Sequence, residues 1–227
     1  MDEADRAAFV ALGGQTLELL GERALHWPAQ RRLIVADLHL GKADAFRSAG
    51  LALPEGDTRE DLDRLARLVV RCGVESLWVL GDFLHGPLRG DAWRDQWRAF
   101  RRSHSSLDVV VVPGNHDRAL RGAELDVRIE ASRLTDGPFV FAHDPAGQTT
   151  RASATAPTVV CGHVHPVVRI PGIAGRHPAF VIDAGVLVLP AFSAFTGGWL
   201  VTPDSLRFAC VRGHLLRMPP QVKRDRR

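Results

Sequence analysis

The sequence predicts a mixed α/β fold: two sheets packed face to face, with helices outside. Three observations lead there. Short apolar runs of four to six residues recur from end to end, bounded by Gly, Pro, Asp or Asn. Amphipathic helical patterns separate the first three of these runs, whereas the second half is mostly strand-like. Several runs are apolar at every position, the signature of strands buried on both faces.

Taken in order, the stretch before Asp37 reads as an edge strand or strands without an assigned role, ending in the run Leu33-Ile34-Val35-Ala36. Residues 58–71 open on Thr58-Arg59-Glu60-Asp61, an N-terminal capping pattern. Leu62, Leu65, Leu68 and Val69 then form an apolar stripe, and Gly73 ends the helix. Leu77–Leu80 is the second strand. Residues 91–102 form a helix with Trp93, Trp97 and Phe100 on one face. Those two tryptophans are core in the first instance, although exposed rings at that spacing would stack bases. Val109–Val112, Phe139–Ala142, Thr158–Cys161, Ala179–Ile182, Gly198–Val201 and Leu206–Val211 complete the strands, with a loop over 144–157.

The chain has 227 residues, 45% hydrophobic and 24% charged, which suits one globular domain over 1–227 with a loose basic tail over 219–227. Of 29 basic residues only Lys42 and Lys223 are lysine, and the net charge of +3 does not by itself call for nucleic acid. No run of 18 apolar residues occurs, so no membrane span is expected. The acidic start Asp2-Glu3-Ala4-Asp5 argues against a signal peptide. Cys72, Cys161 and Cys210 form no CxxC pair and suit small buried hydrophobes in a reducing cytoplasm.

The residues just past the buried strands carry the chemistry. Asp37-Leu38-His39 comes after the first and Gly81-Asp82 after the second. Gly114-Asn115-His116-Asp117 comes after the third, His143-Asp144 after the fourth, and Gly162-His163-Val164-His165 after the fifth. In open α/β sheets ligands sit beyond the carboxyl ends of strands, so these groups are expected to converge. One Asp after one strand is a turn residue or a cap. Five such endings in succession, holding five of the ten histidines, are not explained that way. Asp37 and His39, like His163 and His165, are two apart and on an extended chain would face the same side. Asp37, His39, Asp82, Asn115, His143, His163 and His165 make seven oxygen and imidazole donors, too many for one tetrahedral ion. With one bridging carboxylate they suit two divalent ions about 3.5–4 Å apart.

This ordered set, spanning residues 37 to 165, resembles the motifs of the calcineurin-like metallophosphoesterase superfamily. The words Ala36-Asp37-Leu38-His39-Leu40-Gly41-Lys42, Gly81-Asp82-Phe83-Leu84-His85-Gly86 and Leu189-Pro190-Ala191-Phe192-Ser193-Ala194-Phe195-Thr196-Gly197-Gly198 resemble the bacterial ligase-associated DNA damage response endonucleases. The resemblance implies a four-layer α/β/β/α sandwich with two mixed sheets. It implies one metal held by Asp37, His39, Asp82 and His165, and another by Asp82, Asn115, His143 and His163, with Asp82 bridging. His116 would be the general acid and Asp117 would orient it. Phosphodiesters would be hydrolysed by a metal-bridging hydroxide, with manganese favoured over zinc, iron or nickel. The substrate implied is DNA, single-stranded, in a repair setting beside a ligase and a helicase. The purple acid phosphatase subgroup uses a tyrosine ligand, and this chain has no tyrosine. Lys42 and His85, close behind two of the motifs, are candidate substrate contacts. The rival readings are a phosphodiesterase or phosphatase for nucleotides or small esters, and a binding scaffold without catalysis.

Overall fold

The computed structural model describes residues 6–48, 50, 58–85, 92–145 and 156–221. Its first sheet runs in chain order: β1 (Ala7–Leu12), β2 (Gln15–Leu20), β3 (Ala24–Trp27), β4 (Arg32–Ala36), β5 (Ser76–Leu80), β6 (Asp108–Val112) and β7 (Arg128–Ile129). The strands up to β4 pair antiparallel. From β4 to β7 they are parallel. The sheet is therefore mixed, and the residues before Asp37 supply three strands of it beyond β4.

Helices α1 (Lys42–Ser48), α2 (Thr58–Cys72) and α3 (Ala92–Ser103) come after β4 and β5. Alternate residues of a strand face opposite ways, and here both directions are covered. Leu33, Val35, Leu77, Val79, Val109 and Val111 pack on Leu62, Leu65, Trp93, Trp97 and Phe100 of α2 and α3. Ile34, Trp78 and Val110 point the other way, into a second core shared with the second sheet. Continuous apolar runs result from that double burial. Trp93 and Trp97 are core residues and take no part in a base-stacking surface.

The second sheet contains β8 (Arg133–Asp136), β9 (Phe139–Ala142), β10 (Thr158–Cys161), β11 (Pro166–Ile170), β12 (Ile173–Asp183), β13 (Val186–Val188), β14 (Trp199–Leu200), β15 (Leu206–Val211) and β16 (His214–Met218). Its order is β14-β11-β12-β13-β10-β9-β8, with β15 joining β12 to β16. It too is mixed, because β10 lies parallel to β9 and β13 while β12 runs antiparallel to its neighbours. Phe139, Phe141, Val160, Phe180 and Phe208 meet Trp27 and Trp78 between the sheets. Trp27 stands edge-on to Phe139 at 4.9 Å.

The two mixed sheets with helices outside agree with the expected class. On the outer face of the second sheet, Val168, Ile170, Ala179 and Ala209 form a small cluster to which no described helix contributes. No described helix is long and apolar enough to cross a membrane. Residues 146–155 of the expected loop and 222–227 of the expected tail lie outside the described residues.

Candidate metal centre

The carboxyl ends of β4, β5 and β6 from one sheet meet those of β9 and β10 from the other. The Asp37 N–H donates to the Gly81 carbonyl at 3.2 Å, and the Gly81 N–H to the Val112 carbonyl at 2.7 Å. The Gly162 N–H reaches the His143 carbonyl at 3.0 Å. The His163 N–H donates to Asp37 Oδ2 at 3.0 Å, tying the second sheet to the first.

The extended-chain expectation for the paired motifs does not hold. Asp37, His39, Asp82, His163 and His165 have φ of 55°, 51°, 44°, 66° and 46°, all left-handed. Such a conformation costs about 1–3 kcal/mol at a non-glycine residue and persists where surroundings enforce it. Here the enforcement is mutual, since the His39 N–H is held by the Asp82 carbonyl at 2.8 Å. β4, β5 and β10 thus end in sharp turns that throw these side chains inward. The space is made by glycine. A Cβ on Gly81 would stand 1.9 Å from His143 Nδ1, and one on Gly114 would stand 2.4 Å from Asp82 Oδ1.

All seven predicted donors come together. Ligand atoms of Asp37, His39 and His165 lie within 4.8 Å of one another, and so do those of Asp37, Asp82 and His143. His165 Nε2 is 3.2 Å from Asp37 Oδ1. His143 Nε2 is 2.9 Å from Asn115 Oδ1, 3.0 Å from His163 Nδ1 and 3.5 Å from Asp82 Oδ1. Asp37 belongs to both groups, and Asp82 lies between His143 and His116.

The donor set fits divalent ions. Asp37 Oδ1, both ring nitrogens of His39 and His165 Nε2 are buried without a hydrogen-bond partner. Buried polar atoms are rarely left so, and a cation satisfies them together. Burial first, then the neighbouring Lys42 and His165, pushes the His39 pKa down to about 2. Its imidazole is therefore neutral, the form that ligates. Oxygen and imidazole donors suit manganese, zinc or iron.

Around this centre lie the remaining candidates. The His116 N–H donates to Asp82 Oδ1 at 3.1 Å. Its exposed ring stacks on His85, with centroids 5.7 Å apart and planes at 16°. His85 in turn stacks with Phe46 of α1, at 5.9 Å. The Asp117 carboxylate accepts the Leu84 N–H at 2.9 Å and the Gly114 N–H at 2.8 Å. It fixes the loop that carries His116 through backbone. Burial raises the Asp117 pKa, and those N–H bonds oppose the rise. Lys42 is half-buried, its Nζ donating to Thr196 Oγ1 at 3.4 Å. Burial lowers its pKa, while Asp37 and Asp82 pull it up. The loop holding Thr196 is pinned to α2 by Asp61, which accepts the Ala194 N–H, and by Arg64, which donates to the Phe192 carbonyl.

Sequence reasoning missed Phe46 and Thr196, whose signal is only positional: one lies on the helix opened by Lys42, the other in the Leu189–Gly198 word. An open cavity of about 370 Å³ borders the centre, lined by Asn115, Arg133, His143 and His163 among others.

The chain is similar to known proteins in sequence and in structure. Residues 31–194 match the calcineurin-like phosphoesterase superfamily domain. The crystal structure of the Pseudomonas putida nuclease MPE is similar over 93% of this chain and 99% of its own, with 37% identity and a TM-score of 0.77. Yfce, a phosphoesterase from E. coli, is 15% identical over 80% of this chain and 88% of its own, with a TM-score of 0.42. AQ665 from Aquifex aeolicus is 16% identical over 59% and 78%, with a TM-score of 0.40. None of the curated proteins compared is significantly similar.

Proposed function

The chain belongs to the calcineurin-like phosphoesterase superfamily, and on that premise we propose that it is a metal-dependent phosphodiesterase acting on DNA as an endonuclease. The observation that carries this reading is the pair of adjoining donor groups sharing Asp37, the first of which keeps Asp37 Oδ1, both His39 ring nitrogens and His165 Nε2 buried without a hydrogen bond. The nuclease of Pseudomonas putida, similar over almost its whole length, supports nucleic acid as the substrate.

Asp37, His39, Asp82 and His165 would hold one ion, and Asp82, Asn115, His143 and His163 the other. When bound, two such ions supply Lewis acidity and positive charge to the phosphoryl oxygens. The chain's own residues do the rest. Lys42 draws a non-bridging phosphate oxygen toward the centre. His116, exposed and anchored to Asp82 through its backbone N–H, protonates the departing alkoxide oxygen, a role worth typically ~10²–10⁴ in rate. Asp117 positions His116 by holding its loop to Leu84 and Gly114. His85 backs the His116 ring and limits its swing.

Residues 1–227 act as one domain in this reading, which the core shared by both sheets supports. Manganese is the favoured metal, and a cytoplasmic role in DNA repair beside a ligase and a helicase is drawn from the likeness to the ligase-associated endonucleases.

The test is a circular single-stranded DNA incubated with the protein and manganese, with Asp82→Ala as control. A circle has no ends, so opening it requires an endonuclease. Opening by the wild type alone is the expected result. An intact circle beside a hydrolysed aryl phosphodiester would move the substrate to nucleotides or small esters. No hydrolysis of either, across several metals, would leave a scaffold.

A further inference from the structure

The border of the centre beside His165 carries an aromatic side chain that the fold leaves in water. β14 runs parallel to β11, with Trp199 opposite Pro166. The Trp199 N–H donates to the His165 carbonyl at 3.1 Å. Gly198 permits that approach, since a Cβ there would stand 2.3 Å from the same His165 oxygen. The Trp199 backbone is thus fixed to a residue of the metal centre. Its side chain is 75% exposed, whereas Trp27, Trp78, Trp93 and Trp97 are buried. The exposed Arg176, on β12, donates to the Gly198 carbonyl at 3.4 Å.

An exposed ring beside a cation is the combination that holds single strands: the ring takes a base face, and the cation takes a phosphate. We propose that Trp199 stacks an unpaired base of the substrate next to the scissile phosphate, with Arg176 on the backbone, and so gives the enzyme its preference for single strands. The inference rests on the nucleic-acid reading of the centre. In a duplex the same base face is covered by its neighbours, so the indole gains nothing without unstacking. This is a specificity role, separate from metal binding and from proton transfer.

The test uses the indole itself as the probe. Of all five tryptophans only Trp199 is exposed, so oligothymidylate added to the full chain in chelator is expected to quench the accessible emission. Trp199→Ala should abolish that quench and weaken oligothymidylate binding by about tenfold, while Trp199→Phe keeps affinity within about threefold. In the manganese-loaded enzyme, KM for single-stranded DNA should rise in Trp199→Ala with kcat nearly unchanged. Unaltered affinity and KM in Trp199→Ala would overturn the proposal. So would a change of oligomeric state in that variant without a change in DNA binding, which would make the indole a protein contact. If the wild type hydrolyses an aryl phosphodiester but neither binds nor cleaves an oligonucleotide, the nucleic-acid reading itself has failed, and this proposal falls with it.

Discussion

Gly114→Ala tests whether the packing at the strand ends sets the chemistry. Gly114 does not have a positive φ, so its requirement is for space. An added Cβ would meet Asp82 Oδ1 at 2.4 Å and the Asp82 backbone nitrogen at 2.5 Å, where ordinary contact begins near 3.4 Å. The backbone atom cannot swing away, so the carboxylate or the whole loop must retreat by about 1 Å, a misplacement that costs about 10² in rate. The expected fall in kcat/KM is therefore about 100-fold, or about 2.7 kcal/mol of transition-state stabilisation. Overpacking should also remove about 1–3 kcal/mol of stability, lowering Tm by about 2–4 °C for each of them. The assays are hydrolysis of an aryl phosphodiester with manganese, bound-metal content and a thermal melt. Gly197→Ala is the control, because no atom lies within 4 Å of its added Cβ. A Gly114→Ala enzyme with kcat/KM within about threefold of wild type and full metal content would refute the reasoning.

The same geometry sets other outcomes. Asp82→Ala should lose bound metal and all hydrolysis, read by metal content and the diester assay; near-normal activity would remove Asp82 from the centre. His116→Ala should lose about 10²–10⁴ on DNA but much less on a nitrophenyl diester, whose leaving group needs no proton; equal losses would contradict its role as acid. In metal-free protein, His39 has a pKa of about 2 in the fold against 6.5 ordinarily. Below about pH 6.5 the unfolded chain gains a proton that the folded one refuses, so stability is lost as pH falls toward 2, by up to about 1.4 kcal/mol per pH unit. Urea melts in chelator across pH measure this, and His39→Asn should flatten the slope. Manganese should stabilise the protein more at higher pH, because its histidine ligands must be neutral to bind; melts with and without manganese at two pH values check it.

Elements buried on both faces were legible. The runs at 33–36, 77–80 and 109–112 are apolar at each position because α2 and α3 cover one face and the second sheet the other. The stripe Leu62, Leu65, Leu68 announced α2 in the same way. Strands β7, β8, β11, β13 and β16, and helix α1, were not anticipated. Several are short or partly exposed, as with Arg128–Ile129 and the alternately exposed Arg133–Asp136, so side-chain pattern gives them little signal. What makes them strands is the neighbour each pairs with, for β8, β11 and β16 the adjoining arm of a hairpin.

The seven candidate donors were all named from residue type and position after a strand, because metal chemistry demands particular atoms and those atoms are written in the sequence. How they are aimed was not. The extended-chain argument for Asp37 with His39 and for His163 with His165 assumed a geometry that the left-handed turns replace. Likewise Asp117 reads in sequence as a partner for His116, yet its carboxylate meets the backbone of Leu84, 33 positions away. Trp199 looked like any strand residue yet its indole is exposed, whereas Trp93 and Trp97, read first as core, are buried. The sequence alone determined which atoms are present and which faces are apolar, since these depend on local composition and period. Tertiary structure decided backbone handedness at the strand ends, the sharing of Asp37 between two donor groups and the exposure of one indole, because each depends on contacts between segments far apart in the chain.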